Sequence, residues 1–199
     1  MGKTPIQWTD HSINPIRARL RGTDEAGGHY CEKVSPGCAL CYASRLQSRF
    51  NFPAFPGHGK PNLDNVEPYL HAKALLEVIR RKKPTKFFWC DMTDMFGDWV
   101  PDEWIDQCFA AMALAPEHTH QVLTKRPERM AEYTNDPETP GRVKDAILTI
   151  EWFRCGPSIA SRWEGCIEEN KRAISAWRAG WPLANVWLGT SCEDQQRAE

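Results

Sequence analysis

The sequence predicts an α/β protein with a buried parallel sheet. Residues 85–91, 119–124 and 185–190 are short, almost wholly apolar runs, which is typical of buried strands. Helical patterns separate the runs, and buried strands that alternate with helices favour a parallel sheet with helices on both faces. The chain has 199 residues, of which 41% are hydrophobic, so it is long enough for one domain over residues 1–199.

The helices are predicted from apolar spacing and from the prolines and glycines that bound them. A loop with three prolines and two glycines covers residues 51–65, and a short helix is expected from about Leu70 to Lys82. The clearest helix lies within residues 100–116, where Pro101 opens the segment and Pro116 follows it. Its shared apolar face consists of Trp104, Ile105, Cys108, Phe109 and Met112.

Residues 134–180 combine turns with one further helical pattern. Residues 134–141, "TNDPETPG", predict a turn-rich loop, and Cys155 is expected in a loop as well. Apolar residues recur at helical spacing from about Ser158 to Ala179, and Gly180 stands where a helix-capping glycine belongs. The next residues would start another helix, but the chain stops at "EDQQRAE". We therefore expect this copy to be C-terminally incomplete.

Charge and composition limit the possible compartments. The formal net charge is −1, which gives no general attraction to nucleic acid or to an acidic membrane surface. No apolar run reaches the length of a membrane span, and the N-terminus lacks the apolar core of a signal peptide. We expect a cytoplasmic protein. Its eight cysteines are then better explained by metal binding, catalysis or packing than by disulfides.

Three of the cysteines form a cluster in the loop of residues 29–43, which we call the cysteine loop. Six residues separate Cys31 from Cys38, and two separate Cys38 from Cys41. Thiolates that converge from a short loop bind zinc or an iron–sulfur cluster. Zinc would need a fourth ligand, either His29 or a distant residue. A [4Fe–4S] cluster on three cysteines would instead leave one iron open to a substrate or cofactor.

The other cysteines have different expected roles. Cys108 and Cys166 lie on apolar helix faces, where a thiol acts as a small hydrophobic group. Cys90 and Cys192 flank the ends of two predicted strands, so they either pack in the core or line a site.

Polar side chains follow each predicted strand. The carboxyl ends of parallel strands lie at one edge of a sheet, where ligands of such folds bind. These side chains predict a shared polar site at that edge, although solvated strand ends are the alternative. They are Asp91, Thr93 and Asp94 after the first strand, Lys125 and Arg126 after the second, and Ser191 and Glu193 after the third.

Four ordered blocks of the sequence resemble one known family. "WTDHSINP" followed by "CEKVSPGCALCYASRLQSRF" resembles the opening of a phage- and prophage-associated family of radical S-adenosylmethionine-type proteins, distantly similar to spore photoproduct lyase. "FFWCDMTDMFGDWVPDEW", "HQVLTKRPERM" and "NVWLGTSCEDQ" match later blocks of that family in the same order. The resemblance covers nearly the whole chain.

The resemblance implies a partial (β/α) barrel and a radical enzyme. Cys31, Cys38 and Cys41 would hold a [4Fe–4S] cluster, and S-adenosylmethionine would occupy the open iron. Its reductive cleavage, which requires an electron donor, would yield a 5′-deoxyadenosyl radical. Two features depart from the commonest pattern: six residues rather than three separate the first two cysteines, and Leu40 stands where an aromatic residue usually precedes the third.

Roles for the polar residues follow from the chemistry of the expected ligand. Asp91, Thr93 and Asp94 offer acceptors for an ammonium group, and a lysine or arginine suits a carboxylate or phosphate. Here those cations are Lys125 and Arg126, while Ser191 and Glu193 offer hydrogen bonds to a ribose.

Two function classes remain open from the sequence. The first is a radical enzyme acting on an unknown substrate, with a nucleic acid or nucleotide suggested by loose analogy. The basic runs at residues 17–21 and 80–83 are candidate nucleic-acid contacts or simply solvated surface. The second class is a zinc-stabilised binding module of a phage or defence system without catalysis, acting through a partner protein.

Overall fold

A computed structural model of the protein describes residues 2–23, 28–49, 63–155 and 180–192, with the backbone alone for residues 151–155. The described strands are β1 (Gly2–Lys3), β2 (His11–Ile13), β3 (Ile16–Leu20), β4 (Val66–Leu70), β5 (Lys86–Trp89), β6 (Thr119–Thr124) and β7 (Val186–Thr190). The described helices are α1 (Tyr42–Ser48), α2 (Ala72–Arg80), α3 (Asp102–Ala113), α4 (Pro127–Asn135) and α5 (Thr139–Cys155). A 3₁₀ turn, Pro36–Leu40, precedes α1.

Five strands form one mostly parallel sheet in the order β1-β2-β5-β6-β7. Strands β2, β5, β6 and β7 run parallel, and β1 pairs antiparallel with β2 at the edge. Helices alternate with the parallel strands along the chain. The predicted α/β class with parallel strands is therefore confirmed. Strands β3 and β4 form a separate antiparallel pair, with Ile16 opposite Leu70.

One face of the five-stranded sheet packs against helices. Phe87 and Trp89 of β5 and Val122 of β6 are fully buried in one cluster with apolar residues of α2, α3 and α5. Successive side chains of a strand point to opposite faces. Phe88 and Gln121, which alternate with these core residues, therefore lie on the opposite face of the sheet.

The structure agrees with most of the predicted elements. The three predicted strands correspond to β5, β6 and β7, and the predicted helices at 70–82 and 100–116 correspond to α2 and α3. Cys108 of α3 is fully buried in the core, as expected. The predicted helix at 158–179, including Cys166, lies outside the described residues, as does most of the loop at 51–65. No helix in the described part of the chain is long and apolar enough to span a membrane.

Two predictions for the segment after β6 are wrong. The loop expected at 134–141 is shorter, because α4 extends to Asn135 and α5 begins at Thr139. Hydrogen bonds close this tight turn: Asp136 accepts from the Glu138 amide at 2.9 Å, and the Thr139 hydroxyl donates to the Tyr133 carbonyl at 2.8 Å. Cys155, expected in a loop, is the last residue of α5.

We expect acid to destabilise the fold through the buried ring of His120. Its Nδ1 accepts a hydrogen bond from Trp89 Nε1 at 3.0 Å, and burial lowers the pKa of the ring to about 3. The unfolded chain binds this proton near pH 6.5 and the folded chain does not. The contribution of neutral His120 to the free energy of unfolding is therefore complete above pH 6.5 and is lost progressively as the pH falls toward 3.

The measurement is urea unfolding at pH 7.5 and pH 5.0. The His120 contribution should fall by about 2 kcal/mol between these values, since each pH unit below the unfolded pKa costs about 1.4 kcal/mol. His120→Gln keeps an acceptor for Trp89 but cannot titrate, so it should lose correspondingly less stability on acidification. Equal losses in the two proteins would contradict the assignment.

Candidate functional site

A cavity of about 410 Å³ lies where the carboxyl ends of β5, β6 and β7 meet the cysteine loop; we call it the site cavity. It brings together side chains that are far apart in the sequence. Glu193 lies outside the described residues. The other candidate residues all line the cavity: Cys31, Cys38, Cys41, Asp91, Thr93, Asp94, Lys125, Arg126 and Ser191.

The cysteine loop reaches the cavity through a single 3₁₀ turn. Ser35 is extended, and Pro36 then starts the turn, in which the Cys38 amide donates to the Ser35 carbonyl at 3.0 Å. The Cys41 amide donates to the Cys38 carbonyl at 3.3 Å, directly before α1 begins. Cys38 and Cys41 are thereby fixed one turn apart, while Cys31 enters from the preceding segment, which has no regular secondary structure.

The environments of two of these thiols differ. Burial raises the pKa of Cys31 far above its ordinary value, and the nearby Asp94 carboxylate acts in the same direction. Burial acts in that direction on Cys38 too, but hydrogen bonds outweigh it and lower the pKa. The Ser35 hydroxyl, 3.4 Å from Cys38 Sγ, supplies one of these bonds. Cys38 therefore ionises more readily than an ordinary cysteine.

The loop that follows β5 is hydrogen-bonded to the cysteine loop. Cys90 begins it with a φ of 58°, a left-handed conformation that turns the chain sharply at the end of the strand. The Tyr42 hydroxyl donates to the Asp91 carbonyl at 2.6 Å, and the Thr93 hydroxyl donates to the Tyr30 carbonyl. These contacts fix the positions of Asp91 and Thr93 relative to the cysteines.

Asp94 joins the ends of β5 and β6. One carboxylate oxygen accepts from the Thr124 hydroxyl at 2.7 Å and the Phe96 amide at 3.0 Å. The other accepts from the Lys125 amide and from Arg126 Nη1, both at 3.1 Å. A carboxylate can accept about four hydrogen bonds, so these four donors occupy its acceptor positions. Asp94 thus fixes the backbone at Lys125 and the guanidinium of Arg126, and its role toward an ammonium group stays a prediction.

Two cations face the site cavity. Lys125 Nζ donates to Ser191 Oγ at 3.3 Å. Arg126 is 8% exposed, and its guanidinium lies over the Trp99 ring at 4.8 Å. Its Nη2 lies 4.0 Å from a Glu32 carboxylate oxygen and has no hydrogen-bond partner among the described residues. The cavity therefore presents a buried positive group with unused donor capacity.

Several residues around the site were not predicted from the sequence. Asn14, just after β2, donates to the Asp91 carboxylate and accepts from the Met92 amide at 3.0 Å. Glu32 accepts from the Tyr30 hydroxyl at 2.6 Å. Asn14 lies within the "WTDHSINP" block, and the family resemblance of that block is the sequence feature that could have indicated it. An apolar wall completes the cavity and is formed by Ile6, Trp8, Val34, Phe88, Met92 and Leu123.

The remaining sequence candidates lie in other settings. Cys90 is buried in the core and also lines the cavity, whereas Cys192 is exposed and is not among the lining residues. The basic run at 17–21 falls largely in β3, where Arg19 pairs with Glu67 at 3.1 Å. The run at 80–83 follows the end of α2, away from the residues of the site cavity.

The three cysteines offer a set of thiol donors at one cavity. Their thiols are free, and all three line the same cavity. Within the described ranges, no group of three or more histidine, cysteine or acidic side chains is arranged to hold one metal ion. One tetrahedral zinc, with Zn–S bonds of about 2.3 Å, would require sulfur atoms roughly 4 Å apart. A cluster distributes its cysteines over different iron atoms.

His29, the nearby alternative ligand, is separate from the cysteine group. It is not among the residues that line the site cavity. Both ring nitrogens are buried without a hydrogen-bond partner in the described parts of the chain. Burial, assisted by the positive charge of Arg17, lowers the pKa of the ring to about 4, so the imidazole is neutral.

Comparison with known proteins places the chain in a family. A family model described as "Protein of unknown function (DUF5131)" matches residues 3–199, nearly the whole chain. Neither the curated proteins nor the solved structures contain a significant match.

Proposed function

This chain belongs to the DUF5131 family of proteins of unknown function, and we propose that it is an iron–sulfur protein of the radical S-adenosylmethionine type. The observation that carries the proposal is the lining of the site cavity. Three cysteine thiols line it together with polar residues at the carboxyl ends of parallel strands. A site that holds a cluster and an organic cosubstrate needs thiols to bind the cluster and polar side chains to bind the cosubstrate.

Under this proposal, Cys31, Cys38 and Cys41 hold a [4Fe–4S] cluster and leave one iron to S-adenosylmethionine. When bound, the reduced cluster would supply one electron to the sulfonium of S-adenosylmethionine, whose C5′–S bond would break to give methionine and a 5′-deoxyadenosyl radical. The mostly parallel sheet is then part of a (β/α) barrel. Because clusters need reduced thiols and an electron donor, the proposed location is the cytoplasm.

The polar residues of the chain bind and orient the ligand. Lys125 and Arg126 meet a carboxylate or phosphate, because they are the cations that face the cavity. Ser191, whose hydroxyl lies 3.3 Å from Lys125 Nζ, offers a hydrogen bond to a ribose, and Glu193 is proposed for the same role. The apolar wall around Phe88 and Leu123 offers packing for the apolar surface of the ligand.

Anaerobic reconstitution with iron and sulfide tests the proposal. We expect a brown protein with about four iron atoms per chain. Adding S-adenosylmethionine to the reduced protein should change its electron paramagnetic resonance spectrum, because a new ligand alters the electronic environment of one iron. 5′-Deoxyadenosine should then accumulate in the presence of dithionite.

Two results would contradict the proposal. A spectrum that S-adenosylmethionine leaves unchanged in fully loaded protein would reject direct coordination. A colourless protein with one tightly bound zinc per chain would instead support the alternative, a zinc-stabilised binding module without catalysis.

A further inference from the structure

The sheet face opposite the helices carries a row of three side chains with an aromatic residue at each end, which we call the aromatic row. Phe88 of β5, Gln121 of β6 and Trp187 of β7 are neighbours in the strand register. Trp8 packs on this row, with its ring centroid 4.8 Å from that of Phe88. Trp8 is 43% exposed and Trp187 is 58% exposed. Two partly exposed tryptophans thus lie on the same face as one buried polar side chain, Gln121.

Gln121 has an unused acceptor between these rings. The residue is 7% exposed, and its Nε2 donates to the Trp8 carbonyl at 3.3 Å. That bond orients the amide, because only the nitrogen can donate to a carbonyl. The buried Oε1 has no hydrogen-bond partner within the described residues. A buried acceptor left without a donor is costly, so this oxygen marks a place for a ligand N–H group.

One end of the aromatic row reaches the site cavity, whereas Gln121 and Trp187 are not among the residues that line it. Trp8 and Phe88 line that cavity together with Lys125 and Arg126. Arg126 Nη2 also lacks a hydrogen-bond partner among the described residues. The surface therefore offers an aromatic platform, one hydrogen-bond acceptor and an adjacent positive charge. A planar ring that bears an N–H group and is attached to a phosphate matches all three.

We propose that this face binds a nucleobase of the substrate. The ring stacks against Trp187 and Trp8, a base N–H donates to Gln121 Oε1, and the attached phosphate approaches Lys125 and Arg126. Stacking on aromatic side chains with a neighbouring cationic groove is how proteins hold single-stranded nucleic acid. The inference rests on the proposed function, since it assigns a substrate class to the face next to the site cavity.

Fluorescence anisotropy of reconstituted protein with a fluorescein-labelled single-stranded 12-mer of mixed sequence tests the site. An abasic 12-mer has the same phosphates without bases and serves as the ligand control. We expect Trp187→Ala to weaken binding of the base-containing strand about tenfold and to leave abasic binding unchanged, because one stacking contact is lost. Trp187→Phe should retain most of the affinity. Leu148→Ala, at a residue 61% exposed on α5, is the matched protein control and should have no effect.

The outcomes separate this inference from the proposed function. Iron content and the spectral response to S-adenosylmethionine are measured on the same variants, and both should be unchanged by Trp187→Ala. Wild-type protein that binds both strands equally, or loss of both affinities in Trp187→Ala, would overturn the nucleobase site. Loss of the S-adenosylmethionine response with intact strand binding would show that the adenine of the cosubstrate occupies the face, and would also overturn it. Tryptophan-dependent strand binding by protein that takes up no cluster would support the base site while the proposed function fails.

Discussion

Replacing Asp94 with alanine is expected to lower the free energy of unfolding by about 3–5 kcal/mol, as removal of one partner from a buried ion pair does. The side chain is 5% exposed and accepts hydrogen bonds from Phe96, Thr124, Lys125 and Arg126. Without the carboxylate, the guanidinium of Arg126 stays buried and its nearest acidic group is Glu32, 4.0 Å away. Most of the effect comes from a buried charge that keeps only a weaker partner and from buried donors that lose their acceptor, rather than from the lost attraction.

Urea unfolding of the Asp94→Ala protein measures this loss, and Asp102→Ala is its matched control. Asp102 pairs with Arg129 at 3.0 Å, but its side chain is 54% exposed. Exposed pairs contribute about 1 kcal/mol or less. If the two variants lost similar stability, Asp94 would not have the central position that its hydrogen bonds indicate.

The position of Asp94 could be predicted from the sequence, but its partners could not. Polar residues after buried parallel strands share an edge for topological reasons, so Asp94 and Lys125 were expected near each other. The bond from Arg126 to Asp94 depends on side-chain conformations across 32 residues of chain. The same holds for the Tyr42–Asp91 contact, which spans 49 residues. Such pairings have no periodic signal in a single sequence.

Several helices and strands could not be predicted from the sequence, for local physical reasons. Pro140 and Gly141 indicated a turn, but they lie in the first turn of α5, where a proline loses no helical hydrogen bond. Pro127 similarly begins α4. Strands β1 and β2 have two and three residues, too few to show an alternating pattern.

Replacement of any one of Cys31, Cys38 and Cys41 with alanine should remove most of the iron from reconstituted protein. These three thiols line the site cavity, and a cluster with fewer than three protein ligands is poorly retained. Iron and sulfide analysis, with the visible absorption of the cluster, measures the loss. Cys108→Ala, in the core, and Cys192→Ala, at an exposed position, are the controls and should keep their iron.

His29→Ala separates the cluster from a single zinc ion. The neutral imidazole of His29 is a competent metal ligand, but it is not part of the cavity lining. If three cysteines hold a cluster, the variant should retain iron at nearly the wild-type level. If His29 completes a tetrahedral site, the variant should lose the metal, and the cysteine loop should lose its structure. In a contradicting result, the His29→Ala or Cys108→Ala protein would lose as much iron as the Cys38→Ala protein. That result would show that Cys31, Cys38 and Cys41 are not the ligands of the cluster.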